Sequence, residues 1–183
     1  MPSARVIVIA LAALLVGAAT AAAAVMLVGD DDGRAPEAAA TGASEPLSGP
    51  EVRFGGADVT TGAVVGLGKL QGKPVVVTVW ASWCAACPKQ AEPLRRFVAA
   101  KDRAVLAVDT QEDAEAARAF LTANDLSLPT VADEDGRIAA KLGVRELPTT
   151  LFLTSDHRVA SMWEGPAGLG RLKSAAFAAA HAG

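Results

Sequence analysis

Cys84 and Cys87 are the only cysteines in the 183-residue chain, and two residues separate them. A pair at that spacing can exchange a disulfide with another thiol or supply half of a tetrahedral metal site. The metal reading needs further ligands at short spacing. The only histidines, His157 and His181, stand far along the chain from the pair and lack such spacing. Redox exchange is therefore the stronger reading. With no other cysteine available for a structural bridge, the single pair serves reaction rather than reinforcement.

If the chain from Cys84 onward is a helix, the two sulfurs lie one turn apart on one face, close enough to bridge without backbone movement. Cys84 then meets unsatisfied amides at the positive end of the helix dipole, which stabilise its thiolate. Cys84 is expected to be the exposed nucleophile, and Cys87, more buried, the thiol that resolves the mixed disulfide by closing on Cys84. Cys84 and Cys87 thus form a redox-active disulfide. The two sulfurs carry the electron pair themselves, so no cofactor is required.

The elements that must hold this pair are legible from pattern. The run Pro74-Val75-Val76-Val77-Thr78-Val79-Trp80 suits a central strand covered on both faces, and leads into the cysteines. The helix expected from Cys84 to about Ala100 puts Leu94, Phe97 and Val98 on one side. A buried strand from Ala104 to Val108, ending at Asp109, and a helix from Asp113 to Ala123 follow. Leu128 to Val131 precedes a short helix near Ile138 to Leu142. Thr149 to Thr154 and Arg158 to Trp163 read as an antiparallel pair, and a last helix runs from Leu169 to about His181. At the front, Val52 to Phe54 and Val59 to Val65 read as a short hairpin, with Gly55-Gly56 and Thr61-Gly62 as turn signals. This order predicts an α/β sandwich with a mixed sheet.

Val79-Trp80-Ala81-Ser82-Trp83-Cys84-Ala85-Ala86-Cys87 and Gly143-Val144-Arg145-Glu146-Leu147-Pro148-Thr149-Thr150-Leu151-Phe152-Leu153, two motifs in that order, together resemble the thioredoxin superfamily. They are most similar to its membrane-anchored TlpA/ResA branch of redoxin-like domains, over roughly Phe54 to the carboxyl terminus. The resemblance implies a thioredoxin-like three-layer sandwich, a central mixed β-sheet flanked by helices. It also implies that Pro148 is a cis-proline packed against the disulfide, turning the backbone of Leu147 toward a client strand. Trp83 would shield the thiolate and touch the client, while Trp80 and Trp163 read as core or rim aromatics.

Several positions depart from the family pattern. Thr78 stands where thioredoxins carry a buried Asp, and Gln90 where many TlpA/ResA members carry a Glu. Glu92 and Asp109 are the candidates to stand in for the missing acid, with surface charge as the alternative. Pro93 sits one residue beyond the family's helix-kinking proline, and Pro88 directly follows the motif, so an irregular helix start is expected. Ala85-Ala86 adds no polar group beside the sulfurs.

The organisation is a membrane anchor or signal peptide over residues 1–29, a flexible linker over 30–50 and a thioredoxin-like domain over 51–183. Val6 to Val28 carries no charge, and about 20 apolar residues span a bilayer core. Arg5 before it and Asp30 to Asp32 after it orient the domain outward. Cleavage within Ala18 to Ala24 is the competing reading. The formal net charge of −3 is spread without a basic stripe, which excludes nucleic acid as a partner class.

By resemblance, the expected activity is a reductive thiol-disulfide oxidoreductase acting on exported protein thiols and disulfides such as those of apocytochrome c, with electrons from a membrane thiol donor. The same couple run backwards, as an oxidant of exported proteins, and a copper- or zinc-binding protein remain alternatives. A peroxidase reading is weaker, since no Thr or Arg stands beside Cys84.

Overall fold

A computed structural model describes residues 49–182. The expectations for residues 1–29 and for nearly all of the 30–50 linker lie outside the described residues. Among the described residues no helix is long and apolar enough to cross a membrane.

The elements are β1 (Gly55–Ala57), β2 (Val64–Gly66), a 3-10 turn at Leu67–Lys69, β3 (Val75–Trp80), α1 (Pro88–Ala99), β4 (Ala104–Thr110), α2 (Ala114–Ala123), β5 (Thr130–Asp133), α3 (Arg137–Lys141), β6 (Thr149–Leu153), β7 (Val159–Glu164) and α4 (Leu169–Ala180). Five strands form one sheet in the order β5-β4-β3-β6-β7. β3, β4 and β5 run parallel, and β6 and β7 pair antiparallel. Every residue of β3 is buried, as a central strand covered on both faces requires.

Alternation along β3 divides the core. Val75, Val77 and Val79 pack with Leu106, Val108, Leu151, Leu153 and, from α3 and its end, Ala139 and Leu142. Val76 packs with Phe97 of α1, Phe152, and Leu172 and Ala176 of α4. Trp80 belongs with Leu94 of α1, Phe120 and Leu121 of α2 and both cysteines, and its ring stacks on Phe120 at 4.5 Å. Helices on both faces of the mixed sheet make the α/β sandwich that the element order predicts.

The small hairpin differs from expectation. The strands are Gly55–Ala57 and Val64–Gly66, so Gly55 and Gly56, expected in a turn, lie within β1. A Cβ on Gly66, whose φ is 157°, would meet the Gly55 Cα at 2.5 Å, so the pairing needs the absence of a side chain there. The turn is set by buried Asp58, whose Oδ1 accepts from the Thr60 amide, the Thr61 amide and the Thr61 hydroxyl. Its Oδ2 accepts from the Thr130 amide of β5 at 2.9 Å. Burial pushes the Asp58 carboxyl up, but these donors from Thr130, Thr61 and Thr60 together hold it below its ordinary 3.8.

The hydrogen-bonded carboxylate therefore stabilises the fold above about pH 3.8, and that contribution is lost as pH falls through the lower folded value. Asp58→Ala is expected to cost about 2 to 3 kcal/mol at pH 7, with a smaller cost near pH 3, as read by urea denaturation.

Candidate active site

β3 ends at Trp80 and hands the chain to Ala81, Ser82, Trp83 and Cys84 above the carboxyl end of the parallel strands. Cys84 and Cys87 are disulfide-bonded, with their Cα atoms 5.4 Å apart. The α-helix does not begin at Cys84, as the pattern predicted, but at Pro88, with Cys87 as its N-cap. Pro88 has no amide to bond to the Cys84 carbonyl, so the i→i−4 ladder cannot extend back over the pair. A tighter turn takes its place, in which the Cys87 amide donates to the Cys84 carbonyl at 3.1 Å. The same amide lies 3.1 Å from Cys84 Sγ, so a backbone donor still faces the first sulfur.

Both cysteines are buried, Cys84 at 6% exposure and Cys87 at 3%. The expected depth order is present, but Cys84 is not the exposed residue anticipated, because Trp80, Ala81 and Leu147 pack around the pair. Exposure at this end falls instead to Trp83, at 58%. The Leu147–Pro148 peptide is cis, and Pro148 lines a small cavity with Cys87, Gln90, Thr78 and Trp80. The Pro148 carbonyl accepts from the Gly165 amide at 2.8 Å, which ties the loop before β6 to the end of β7. Trp163, on β7, is covered by the Arg171 guanidinium 3.7 Å from its ring centroid. His157 lies in the turn at the other end of β6 from Pro148, its Nε2 3.1 Å from the Leu70 carbonyl.

The two replaced acids turn out to be partners. Gln90 Nε2 donates to the hydroxyls of Thr78 at 3.1 Å and Thr150 at 3.0 Å. Its Oε1 accepts from the Ala167 amide at 2.8 Å. Gln90 thereby links α1 to β3, β6 and the chain entering α4 with every polar group satisfied, which is what a buried amide needs. The bed beneath the disulfide is neutral. Gln90→Glu deletes both amide donors and buries an ionisable group, so the melting temperature is expected to fall, and to fall further at pH 8 than at pH 5.

Of the two candidate stand-ins, Glu92 is a surface residue paired with Arg96 at 3.5 Å. Asp109 is fully buried at the end of β4, at 0% exposure. Sequence reasoning missed Glu112, whose carboxylate accepts both the amide and the hydroxyl of Ser82. Thirty positions separate these two residues, and no local signal joins them.

The Redoxin family profile matches residues 42–175. The chain belongs to the Redoxin family. Within it, the chain is 32% identical over 98 residues to the thiol:disulfide interchange protein DsbE of Pseudomonas fluorescens biotype C, covering 52% of this chain and 54% of that one. It is 30% identical over 101 residues to the thiol-disulfide oxidoreductase ResA of Bacillus thuringiensis subsp. konkukian, covering 54% and 58%. The chain thus spans little more than half the length of the relatives it matches. A secreted Mycobacterium tuberculosis disulfide oxidoreductase homologous to E. coli DsbE superposes with a TM-score of 0.62 at 26% identity, covering 74% of this chain and 99% of that one. A DsbF homologue from Corynebacterium diphtheriae superposes at 0.66 with 24% identity, over 73% and 88%, a likeness of fold. This Redoxin domain is a ResA-like thioredoxin fold.

Proposed function

We propose that this Redoxin domain is an extracytoplasmic thiol-disulfide oxidoreductase that exchanges its Cys84–Cys87 couple with exported client proteins. The observation that carries the reading is the bonded Cys84–Cys87 pair at the carboxyl end of the parallel strands, beside cis Pro148 and exposed Trp83. The relatives named thiol-disulfide oxidoreductases support it.

In the reductive direction, the Cys84 thiolate attacks one sulfur of a client disulfide, forms the mixed disulfide and expels one client thiolate. Cys87 then loses its proton, and its thiolate attacks Cys84 Sγ. The protein disulfide forms, the second client thiolate leaves, and two electrons have passed to the client. The Cys87 amide facing Cys84 Sγ stabilises the thiolate before attack. Trp83 offers an apolar face to the client, and the backbone of Leu147 beside Pro148 offers main-chain pairing to an extended client segment. Both cysteines are nearly buried, which favours an extended client segment over a bulky folded surface.

Reductive work on exported clients of the apocytochrome c kind, with electrons from a membrane thiol donor, is the role we assign by similarity to ResA and DsbE. The apolar stretch of residues 6–28 would tether the domain outside the cytoplasm.

The protein is expected to accelerate insulin reduction by dithiothreitol, followed as turbidity. A rate equal to that of dithiothreitol alone would overturn the assignment. Titration against a thiol buffer sets the direction: a potential of about −270 mV or lower means a reductant, and one near about −120 mV an oxidant.

A further inference from the structure

The outer margin of β7 is covered at its start and open at the end nearest the cysteines. At the start, the Val52 amide donates to the His157 carbonyl at 3.0 Å, the Val159 amide to the Pro50 carbonyl at 3.4 Å and the Gly49 amide to the Val159 carbonyl at 2.8 Å. Residues 49–52 thus already lie along β7 as an added extended segment. A shift of register between Phe152 and Leu153 follows. Beyond it, residues 161–164 have no strand on their outer side among the described residues.

The register tells which backbone groups of that stretch are open. Bonded and non-bonded pairs alternate along an antiparallel ladder, and the Gly165 amide donates inward to the Pro148 carbonyl. Thr149 then faces Glu164, and Leu151 faces Met162, as non-bonded pairs. Met162 and Glu164 therefore turn their amides and carbonyls outward. The side chains of residues 161–164 are all exposed. Of the five large apolar side chains exposed among the described residues, three are Trp83, Met162 and Trp163. The Arg171 guanidinium, 3.7 Å from the Trp163 ring centroid, covers one side of that ring. The Gly165–Pro148 bond joins the open stretch to the cis-proline loop.

We propose that the outward backbone of Met162 and Glu164 is a second anchoring stretch for the client, which adds there as an extended strand while its cysteine reaches Cys84. The inference rests on the reading of the chain as a thiol-disulfide oxidoreductase, and it continues the client surface of Trp83, Leu147 and Pro148 onto the sheet edge. Main-chain pairing reads no particular sequence. It requires a client stretch free of proline, and Trp163 and Met162 favour an apolar side chain within it. β7 lies two strands from β3, and the added strand lies one further. At about 4.8 Å per strand this is about 14 Å, or about four extended residues between the client cysteine and its pairing segment. The register shift ends the open stretch after residues 161–164, which keeps the edge short and limits its pairing with other sheets.

The test uses the reduced full-length protein and two disulfide-linked peptide dimers, whose single cysteine carries flanks of two or of seven residues. Only the longer flank reaches β7. The second-order rate constant for peptide reduction, measured in a single turnover, is expected to be about tenfold larger for the long peptide, the effect of one or two net main-chain hydrogen bonds. Met162→Pro and Glu164→Pro each remove one outward amide and spare the pairing with β6, so each should shrink the ratio of the two rate constants toward one. Because a proline can also disturb the strand, the wild type is tested in parallel with long peptides N-methylated at one residue at a time. Loss of the long-peptide advantage at every second residue is the signature of strand addition.

Equal rate constants for the two peptides, an advantage that survives in both proline variants, or N-methylation tolerated at every position would overturn the proposal. So would dimers of the free protein that Met162→Pro dissolves, since the edge would then belong to a second copy of this chain. Failure to reduce either peptide would instead remove the oxidoreductase reading, a separate failure visible in the same data.

Discussion

Cys84→Ser is expected to lower insulin reduction by about three orders of magnitude or more, to the rate of the thiol buffer alone, because a serine hydroxyl supplies no thiolate near neutral pH. Cys87→Ser should behave differently. Its Cys84 still attacks a client disulfide, but no second thiol is present to close on Cys84 Sγ, so the mixed disulfide persists. Non-reducing electrophoresis of Cys87→Ser mixed with a disulfide-bearing client should show a covalent adduct that disappears on adding dithiothreitol, and the double variant should show none. An adduct formed equally well by Cys84→Ser would reverse the roles of the two cysteines. The order of burial, with Cys87 the deeper of the pair, favours the assignment given.

Asp109→Asn is expected to stabilise the protein, and by more as the pH rises. The carboxyl titrates at about 9 in the fold against an ordinary 3.8, so the folded chain holds a proton that the unfolded chain releases between those values. The contribution of Asp109 is therefore fully present below about pH 3.8, erodes with rising pH and is gone above about pH 9. Asparagine keeps a neutral donor at the same place and does not titrate. The stability gap between variant and wild type should be small at pH 4, widen to about 3 kcal/mol or more near pH 9, and then flatten. Urea denaturation across that range measures it, and a gap independent of pH would mean that Asp109 is not the buried acid that its surroundings make it. A residue that lowers stability at working pH is one that a fold keeps for something other than packing.

The architecture was legible because its strongest signals were local. The β-branched run at 75–80 could only be a strand covered on both faces, and the apolar stripe of Leu94 and Phe97 could only turn one side of α1 inward. What escaped were features that depend on partners far along the chain or on a single missing atom. Gly55 and Gly56 read as a turn, yet they form a strand because Gly66 offers no Cβ to obstruct it. The helix start moved from Cys84 to Pro88 because one amide is absent. In the candidate site, Cys84 and Cys87 were legible from spacing alone. Thr78 and Gln90 read as two separate losses of an acid, whereas they form one satisfied network with Thr150. The grip of Glu112 on Ser82 joins residues 30 positions apart, and no periodicity records such a contact.

The Asp58 lock has a consequence for how molecules of this protein meet one another. β5 is the last strand on its side of the sheet, and a terminal strand offers unpaired amides and carbonyls to any passing chain. The hairpin covers that margin: Asp58 bridges to Val131, the Val59 amide donates to the Thr130 carbonyl, and the Asp58 carboxylate takes the Thr130 amide. Protonating Asp58 weakens the cover before it unfolds the core, and leaves a native-like molecule with an open template for strand addition. Self-association of this protein should accordingly begin only in strong acid, below about pH 3.8 where the Asp58 carboxylate takes up its proton, and it should begin at β5.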